Sequence, residues 1–343
     1  MTIQEALAQV VEGKDLSQQQ AQDAMQLIMS GQCTDAQIGA FITALRMKGE
    51  TVEEIAGCAA SMREMALSVE APGTVVDTCG TGGDASGSFN ISTTVAFVVA
   101  ACGLTVAKHG NRSITSKSGS ADVLKALGVN IDADKGVVET CLARCGIGFL
   151  FAPKHHGAMK HAIGPRKELA LRTIFNLLGP LTNPARAPYQ LIGVFDGNWT
   201  EAMASVLGRL GSKRAMVVHG SDGLDEITIT GTTQVSELKA DGSVETWTLN
   251  PADYGLSLGT AEDLKGGDAD ENAAITHGIL AGDTQGPKRD IVVLNAAAAL
   301  VVTEVASDMT AGIAMAQTAL DNGRALQRLE MLKKTSQVVE AEA

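Results

Sequence analysis

A glycine-rich stretch between residues 77 and 93 carries the clearest chemical signal in the sequence. It reads DTCGTGGDASGSFNIST and follows a short strand-like run at 74–76. Because glycine lacks a Cβ and tolerates positive φ, successive N–H groups of such a loop can converge on one anion. An apolar run at 95–99 predicts a helix that starts near Ser92 and points its positive end at the same anion. The stretch therefore predicts a site for a small molecule that carries phosphate.

Two common nucleotide-binding motifs fit this stretch poorly. Residues 80–85, GTGGDA, match the G-x-G-x-x-G/A spacing of dinucleotide-binding loops. That motif places an acid about 20 residues further on, whereas the next strand-like run, at 105–107, ends in Lys108. The lysine-containing loop G-x-x-x-x-G-K-[ST] is absent from the sequence. A nicotinamide or ATP site is therefore disfavoured.

A second polar loop, at 108–120, follows the strand-like run at 105–107. It holds three cations and five hydroxyl side chains, and no acid occurs from Lys108 to Ala121, although the chain has a formal net charge of −12. Open parallel sheets bind ligands at loops of this kind, at the carboxyl ends of their strands. A solvated basic turn is the plain alternative, but the position after a strand favours a second part of the same anion site.

Several segments together resemble a known family of enzymes. They read GTGGD at 80–84, KHGNRS at 108–113, FNLLGPLTNP at 175–184 and DGLDE at 222–226. Their order and spacing are similar to those of the anthranilate phosphoribosyltransferases, and the resemblance extends from about Leu16 to the C-terminus. It implies transfer of the phosphoribosyl group of 5-phosphoribosyl 1-pyrophosphate (PRPP) to the amine of anthranilate in tryptophan biosynthesis, with release of pyrophosphate.

The resemblance also implies which residues bind PRPP. Bond breaking at C1 of the ribosyl group passes through an oxocarbenium-like state, so the site mainly has to stabilise the departing pyrophosphate and hold the amine in line. We therefore assign no residue as a nucleophile or general base. The predicted PRPP-binding residues are Gly80, Gly82, Gly83, Asp84, Ser88, Asn90, Ile91, Ser92, Thr93, Lys108, His109, Gly110, Asn111, Arg112, Ser113, Ser116 and Ser120.

Asp225 and Glu226 are the predicted magnesium ligands. They follow a strand-like run at 215–218, and carboxylate oxygens are ligands that Mg²⁺ prefers, together with substrate phosphates and water. An isolated Asp-Glu pair is more typical of a solvated acidic turn, but the surrounding loop and the resemblance favour two Mg²⁺ ions per subunit. The resemblance implies that Ser92 adds a hydroxyl ligand.

A second stretch without acids, at 140–167, is rich in lysine, histidine and arginine. Arg166 can hold a carboxylate through two parallel hydrogen bonds, and the resemblance places anthranilate there. Asn111 and Gly80 would contact the same substrate, and His156 is a weaker candidate because a lone histidine is more often structural.

Composition narrows the class of protein and its location. The 343 residues give a mass of 35.5 kDa, enough for one large or two modest domains. An acidic chain with 3% aromatic residues argues against nucleic-acid binding. No apolar run is long enough to span a bilayer and the N-terminus lacks a signal-peptide pattern. Six cysteines without paired spacing favour reduced thiols, so we expect a cytoplasmic enzyme with no membrane partner.

The order of elements predicts an α/β fold with two parts. Capping boxes beginning at Ser17, Thr34 and Thr51 predict helices in the first 67 residues. Beyond residue 71, strand-like runs at 74–76, 105–107, 148–151, 191–195 and 215–218 alternate with helical stretches, which predicts a mostly parallel sheet. Runs at 227–230, 234–238 and 244–249 predict a small antiparallel addition, and helices follow from about Asp270.

We therefore expect a small helical domain at residues 1–70 and a larger α/β domain at residues 71–343, an arrangement like that of nucleoside phosphorylases and phosphoribosyltransferases. The resemblance implies that about 165–185 rejoins the helical domain and that this domain forms a homodimer. Pyrimidine nucleoside phosphorylases, and a nucleic-acid-binding relative on the same scaffold, are the alternatives. The loop at 77–93 and the acidic balance disfavour them.

Overall fold

The helices at the N-terminal end each begin at a capping box. In the computed structural model, which describes residues 1–113 and 117–338, Thr2, Ser17, Thr34 and Thr51 each accept a hydrogen bond from the backbone N–H three residues later. The Glu or Gln side chain at that later position bonds back to the backbone of the capping residue. The last three boxes confirm the sequence prediction, and the first was missed.

Helices and strands follow in the predicted order. The helices are α1 (Ile3–Val11), α2 (Gln18–Met29), α3 (Asp35–Lys48), α4 (Val52–Met65), α5 (Ile91–Ala101), α6 (Ser120–Ala126), α7 (Lys135–Cys145), α8 (Ala152–His155), α9 (Lys160–Leu169), α10 (Phe175–Leu181), α11 (Thr200–Arg209), α12 (Ala269–Ala281), α13 (Pro287–Val302), α14 (Met309–Asp321) and α15 (Arg324–Thr335). The strands are β1 (Val75–Gly80), β2 (Thr105–Gly110), β3 (Ile147–Phe151), β4 (Tyr189–Gly193), β5 (Arg214–Gly220), β6 (Thr233–Leu238) and β7 (Val244–Leu249).

Within the described ranges the strands form one seven-stranded sheet in the order β3-β2-β1-β4-β5-β6-β7. The pairs from β3 to β5 are parallel, and β6 and β7 add antiparallel to that edge. The predicted α/β fold with a mostly parallel sheet is therefore confirmed.

The prediction of a strand at 227–230 was wrong. The hydroxyls of Thr228 and Thr230 donate to Asp222, and the Thr228 N–H donates to the hydroxyl of Thr233. Local hydroxyl–carboxylate bonds of this kind compete with strand pairing for the backbone, so the β-branched run forms a folded loop instead.

Three hydrophobic clusters lie against the sheet, one on one face and two on the other. Side chains alternate between faces along a strand, so Leu191 joins the core built by α5, α13, α14 and α15, while Ile192 joins the core of the N-terminal helices. Met216 and Val217 alternate in the same way on β5. The parallel part of the sheet is thus buried on both sides, as parallel sheets are, whereas β7 is largely exposed.

Helices α9 and α10 pack on the N-terminal helices. Contacts join α9 to α2 and α3, and α10 to α4, and Ile174, Phe175 and Leu178 lie in the core of those helices. The division into domains at residue 70, with about 165–185 rejoining the first, stays a prediction. None of the helices in the described part of the chain has the length and apolar character needed to cross a membrane.

Candidate active site

Polar loops meet where the strand order turns. In the sheet, β1 lies between β2 and β4. The strands β2 and β3 are added on one side of β1, and the strands from β4 onwards are added on the other side. The crevice beyond the carboxyl ends of such a pair of strands is where open α/β sheets bind ligands. The segments that follow β1, β2 and β5 carry the predicted PRPP and magnesium residues, and the segment that follows β3 carries His156 and Arg166.

The loop after β1 has the left-handed turns that its glycines predict. The φ angles are 68° at Gly82, 78° at Gly83 and 68° at Gly87, and Ala85 adds a φ of 57°. The Gly82 N–H donates to Oδ2 of Asp225 at 2.7 Å. Residues with left-handed backbone dihedrals make a loop concave, and its N–H groups can then point to one side. An anion site requires such an arrangement.

The predicted side chains of this loop differ in what they can reach. Ile91 and Thr93, in the first turn of α5, are only 2% and 1% exposed, so almost no part of either residue is open to a ligand. Ser88 lies in the loop with its hydroxyl 3.1 Å from that of Ser86. Asp84 accepts the Ser86 N–H at 3.3 Å.

A segment at 264–272, which sequence reasoning missed, supports this loop from the side. The Gly266 N–H donates to the Gly87 carbonyl at 2.9 Å, and the Asn272 amide donates to Oδ1 of Asn90 at 3.0 Å. Asn90 precedes α5 without capping it through its side chain. These bonds join positions about 180 residues apart, and no local sequence pattern marks them.

Asp225 lies against the backbone of two neighbouring strands. A Cβ placed on Gly80 would lie 2.2 Å from the Asp225 carboxylate, and one placed on Gly193 would lie 1.5 Å from its carbonyl oxygen. Only glycine fits at Gly193, where the clash is with backbone, and a larger residue at Gly80 would displace the Asp225 carboxylate. Gly193, at the end of β4, was missed as a site residue, although its place after an apolar strand is a usable signal.

Glu226 is buried and Asp225 is partly buried, and both lie in surroundings that disfavour negative charge. Burial raises the pKa of Asp225 well above its usual range, and Asp84 and Glu226 add like charge. Burial also raises the pKa of Glu226 to about 7, although Lys108 and the Ser92 N–H, 3.0 Å from Oε1, oppose the shift. A pair of carboxylates with too little positive charge around it is suited to a divalent cation.

The donor set fits magnesium. Among residues 1–113 and 117–338, no group of three or more His, Cys, Asp and Glu side chains forms a complete metal site. Magnesium does not need one, because it usually keeps waters and substrate phosphates and takes one or two protein carboxylates. Asp225, Glu226 and the Ser92 hydroxyl offer the hard oxygen atoms that this ion prefers.

Lys108 lies beneath the loop rather than at its surface. It is 2% exposed, and its ammonium donates to the Thr78 carbonyl at 2.6 Å and approaches the Ser92 hydroxyl at 3.5 Å. Burial lowers the pKa of Lys108, while Asp77, Cys79 and Glu226 raise it. Its charge therefore acts on the acidic pair and on Ser92 from within the protein.

A buried network supports the end of β2. Asp77, on β1, accepts the His109 N–H at 3.2 Å and the Asn183 amide at 2.7 Å, and the same amide donates to the Ala107 carbonyl at 2.7 Å. Burial raises the pKa of Asp77. Sequence reasoning missed both Asp77 and Asn183 as site residues, although each lies inside a motif that it quoted.

The loop after β2 folds back on the first turn of α6. The Ser120 hydroxyl donates to the Asn111 carbonyl at 3.2 Å, and a Cβ on Gly110 would lie 2.2 Å from that hydroxyl. The Arg112 guanidinium lies 5.9 Å from the centre of the Phe151 ring, and the Ser113 N–H donates to Asp122 at 3.4 Å. The predicted contact of Ser116 lies outside the described residues.

The predicted anthranilate residues come from separate elements. His156 Nε2 lies 3.2 Å from His109 Nε2, which brings the end of α8 against β2. Burial lowers the pKa of His156 to about 4, with His155 adding like charge, and burial lowers the pKa of His109 well below its usual range, with His156 adding like charge. Both imidazoles are therefore neutral at pH 7.

Arg166 has an aromatic contact but no anion. Its guanidinium lies 5.0 Å from the centre of the Phe175 ring, and burial lowers its pKa. With the described residues its side chain forms no hydrogen bond or ion pair. A partly buried guanidinium without a counter-ion is suited to a carboxylate ligand.

Arg172, between α9 and α10, contacts the predicted phosphate loop, the glycine-rich stretch at 77–93. Its guanidinium donates to the Gly83 carbonyl at 2.5 Å and lies 4.4 Å from the centre of the Phe195 ring. The segment that carries Arg166 is thereby joined to the loop after β1. Sequence reasoning did not single out this residue.

Comparison with known proteins agrees with this geometry. Two family models match, the helical bundle domain of a glycosyl transferase family at residues 4–66 and the α/β domain of a glycosyl transferase family at residues 72–326. The anthranilate phosphoribosyltransferase of Acetivibrio thermocellus is 57% identical over 96% of this chain and 95% of its own length. That of Thioalkalivibrio sulfidiphilus is 54% identical over 97% of this chain and 98% of its own length.

Solved structures give the same result. The anthranilate phosphoribosyltransferase of Thermus thermophilus superimposes with a TM-score of 0.92 at 39% identity, covering 97% of this chain and 99% of that one. The enzyme of Saccharomyces cerevisiae in complex with PRPP and Mg superimposes with a TM-score of 0.88 at 27% identity, covering 97% of both chains. Sequence identity above one half across nearly the whole length, on a shared fold, decides the assignment: this chain belongs to the anthranilate phosphoribosyltransferase family.

Proposed function

We propose that the crevice between β1 and β4 binds PRPP together with two Mg²⁺ ions and that Arg166 presents anthranilate to it. Family membership gives the reaction. The chain is a pentosyltransferase of tryptophan biosynthesis that transfers the phosphoribosyl group of PRPP to the amine of anthranilate and releases pyrophosphate. The residue roles below are inferred from the contacts described above.

The buried acidic pair is the observation that carries this proposal. Asp225 and Glu226 are tied to the two ends of the phosphate loop, through the N–H groups of Gly82 and Ser92. Burial raises the pKa of both carboxyl groups, a cost that a purely structural pair would avoid. A cation shared with a pyrophosphate at this place would relieve it, and the related yeast enzyme was solved with PRPP and Mg.

In the proposed mechanism the chain binds, neutralises and orients. The glycine turns at 82–87 and the first turn of α5 would receive the phosphate oxygens, and the loop after β2 would supply Arg112 and Asn111. Magnesium bound by Asp225, Glu226 and Ser92 would supply positive charge to the departing pyrophosphate. An aryl amine is neutral at pH 7 and needs no strong base before it attacks C1, so alignment by Arg166 is the main requirement.

The quaternary structure is part of the same proposal. Three packed helices, α1, α3 and α9, expose large apolar side chains, namely Val11 (68%), Met47 (83%) and Ile163 (55%). We propose that the region formed by these three helices contributes to a homodimer interface. Light scattering at micromolar concentration should give twice the chain mass, and Met47→Glu should shift it towards the monomer, whereas the exposed Glu245→Lys on β7 should not.

The cysteines are the structural observation that bears on the location in the cell. All six cysteines are free thiols in the structure, in agreement with the reduced thiols that the sequence predicts. A cytoplasmic location stays a prediction.

A fluorescence assay tests the proposed function. Loss of anthranilate fluorescence should require both PRPP and Mg²⁺, should stop with EDTA and should return on addition of Mg²⁺. Asp225→Asn should abolish it, while Asp241→Asn, a carboxylate change at the exposed β6–β7 turn, should leave it unchanged. Turnover without divalent cations, phosphate-dependent cleavage of a nucleoside, or retention on a DNA column would overturn the proposal.

A further inference from the structure

Asn295 is a fully buried amide in the most apolar stretch of the chain. It lies in the middle of α13, is 0% exposed, and has buried alanines at 296–299 and apolar residues at 291–294 around it. A buried amide is costly unless its hydrogen bonds are made. The partners of Asn295 therefore indicate why it is there.

The side chain of Asn295 pairs with both backbone groups of one residue. Its Oδ1 accepts the Ile227 N–H at 2.9 Å, and its Nδ2 donates to the Ile227 carbonyl at 2.8 Å. The second proton of Nδ2 goes to the Ile291 carbonyl within α13, at 2.9 Å. The amide thus gives Ile227 the two bonds that a neighbouring strand would give it.

Ile227 directly follows the acidic pair. It is 0% exposed and lies outside the strands of the sheet, so without Asn295 its N–H and carbonyl would be left unsatisfied. The Ile227 N–H belongs to the peptide unit that carries the carbonyl of Glu226. Fixing that peptide unit restricts the backbone conformation of Glu226 and therefore the direction of its side chain.

The acidic pair is consequently held from two sides. The N–H groups of Gly82 and Ser92 hold its carboxylates from the phosphate loop, and Asn295 holds its backbone from α13. Helix α13 contributes none of the predicted ligands. The buried amide of Asn295 binds the peptide next to them instead.

We infer that Asn295 is a positioning residue for the Asp225–Glu226 pair. It acts through the backbone of Ile227 and touches neither substrate nor metal. The inference rests on the proposed function, which makes the acidic pair the metal site. Residues that hold metal ligands in place commonly change metal affinity by about 10- to 100-fold when they are removed.

Manganese binding measured by electron paramagnetic resonance, in the presence of PRPP and without turnover, tests the inference. Asn295→Leu removes all three bonds at similar size, and Asn295→Asp keeps an acceptor for the Ile227 N–H but loses the donor to its carbonyl. We expect Mn²⁺ affinity to fall about tenfold or more in the first variant and less in the second. Anthranilate affinity, measured by calorimetry, should change little in either.

Thr303→Val is the matched control. Thr303 ends the same helix, is 6% exposed, and donates a buried hydrogen bond to the Ala299 carbonyl at 3.0 Å, away from the acidic pair. It should lower thermal stability and leave Mn²⁺ affinity within about twofold. A loss of Mn²⁺ affinity equal to that of Asn295→Leu would show a general effect of destabilisation and overturn the inference.

Other outcomes separate this inference from the proposed function. If Glu226→Gln also leaves Mn²⁺ affinity unchanged, the acidic pair is not the metal site and the proposed function fails. If Glu226→Gln weakens Mn²⁺ while Asn295→Leu does not, only the role of Asn295 fails. Should both Asn295 variants fail to fold, hydrogen exchange on the wild-type chain decides, because an unprotected Ile227 N–H would overturn the inference.

Discussion

Glu54 and Glu226 are both buried carboxylates, but the protein surrounds them differently. Glu54, at the start of α4, is 0% exposed and accepts the N–H groups of Leu16 and Thr51 at 2.9 and 2.8 Å, and the Lys48 ammonium at 2.9 Å. Glu226 is 9% exposed and accepts one N–H bond, and burial raises its pKa to about 7.

On the proposed function, the difference separates a structural acid from a metal-binding one. A buried carboxylate can stabilise the fold when neighbouring groups of the protein neutralise its charge, because hydrogen-bond donors and an ammonium offset the cost of its desolvation. A buried carboxylate without enough positive charge nearby lowers the stability of the fold unless a ligand supplies that charge. The comparison predicts that the two residues respond oppositely to the same change, from acid to amide.

Glu226→Gln should give the largest effect on turnover. The substitution keeps the side-chain shape but removes the charge that would bind Mg²⁺, and metal-assisted charge stabilisation is worth several kcal/mol, so kcat should fall about a hundredfold or more. The unfolding free energy of the ligand-free protein should stay level or rise, because a buried charge is gone. Steady-state kinetics and urea unfolding measure the two effects, with the exposed Glu245→Gln as control. Wild-type turnover at ordinary Mg²⁺ would end the assignment.

Glu54→Gln should give the reverse result. One oxygen of Glu54 accepts from both the Lys48 ammonium and the Thr51 N–H, and the other accepts from the Leu16 N–H, so the amide N–H₂ faces a donor in either orientation. The charge that pairs with Lys48 is also lost, and breaking a buried pair costs about 3 kcal/mol. Urea unfolding should show that loss, while kcat of the folded enzyme stays near wild type. Glu64→Gln, on the exposed face of the same helix, should change little. Unchanged stability in Glu54→Gln would show that burial alone does not distinguish the two sites.

The capping box at Thr51 and Glu54 could be predicted because its residues are three positions apart. The loops after β1 and β2 could be predicted for the same reason, since each is a continuous run of glycine, hydroxyl or basic residues after a strand. Ile227–Thr230 reads as a strand by composition. Its conformation depends on hydrogen bonds from Thr228 and Thr230 to the Asp222 carboxylate. Strand propensity takes no account of such side-chain bonds.

The supports of the site could not be predicted because they join distant positions. Asn183 bridges Asp77 and Ala107, which lie on neighbouring strands. Asn272 reaches Asn90 across 182 residues. Local periodicity reports which face of an element is apolar, but it carries no information on which buried amide will meet which backbone group. The sequence therefore proposes ligands for the site from local motifs, but it does not reveal the buried amides that support those motifs.

Arg166 and Lys48 extend the comparison to cations. Lys48 bonds to both Asp15 and Glu54, whereas Arg166 has no anion among the described residues. Removing a charged hydrogen-bond partner of anthranilate costs about 1.5–3 kcal/mol, roughly 10- to 150-fold in affinity. Arg166→Ala should raise KM for anthranilate by that factor, with PRPP binding little changed, and Arg166→Lys should recover part of the loss.

The neighbouring Lys167→Ala controls for the change in net charge, because Lys167 is exposed on the same helix. Calorimetry with each substrate distinguishes the possible results. Loss of PRPP affinity in Arg166→Ala, with the anthranilate KM unchanged, would mean that the guanidinium serves the phosphates and that the carboxylate pocket lies elsewhere.

The pair His109 and His156 should make the site, rather than the N-terminal helices, the acid-sensitive part of the fold. Burial lowers the pKa of His156 from 6.5 to about 4, so between these values the unfolded chain binds a proton that the folded chain does not. Stability is then full above about pH 6.5 and falls as the pH drops towards 4, by up to about 1.4 kcal/mol per pH unit for one such group. His156→Gln should flatten this dependence in urea unfolding measured from pH 7 to pH 4.5, whereas the exposed His277→Gln should not. An equal slope in the His156 variant and the wild type would place the acid-sensitive groups elsewhere in the fold.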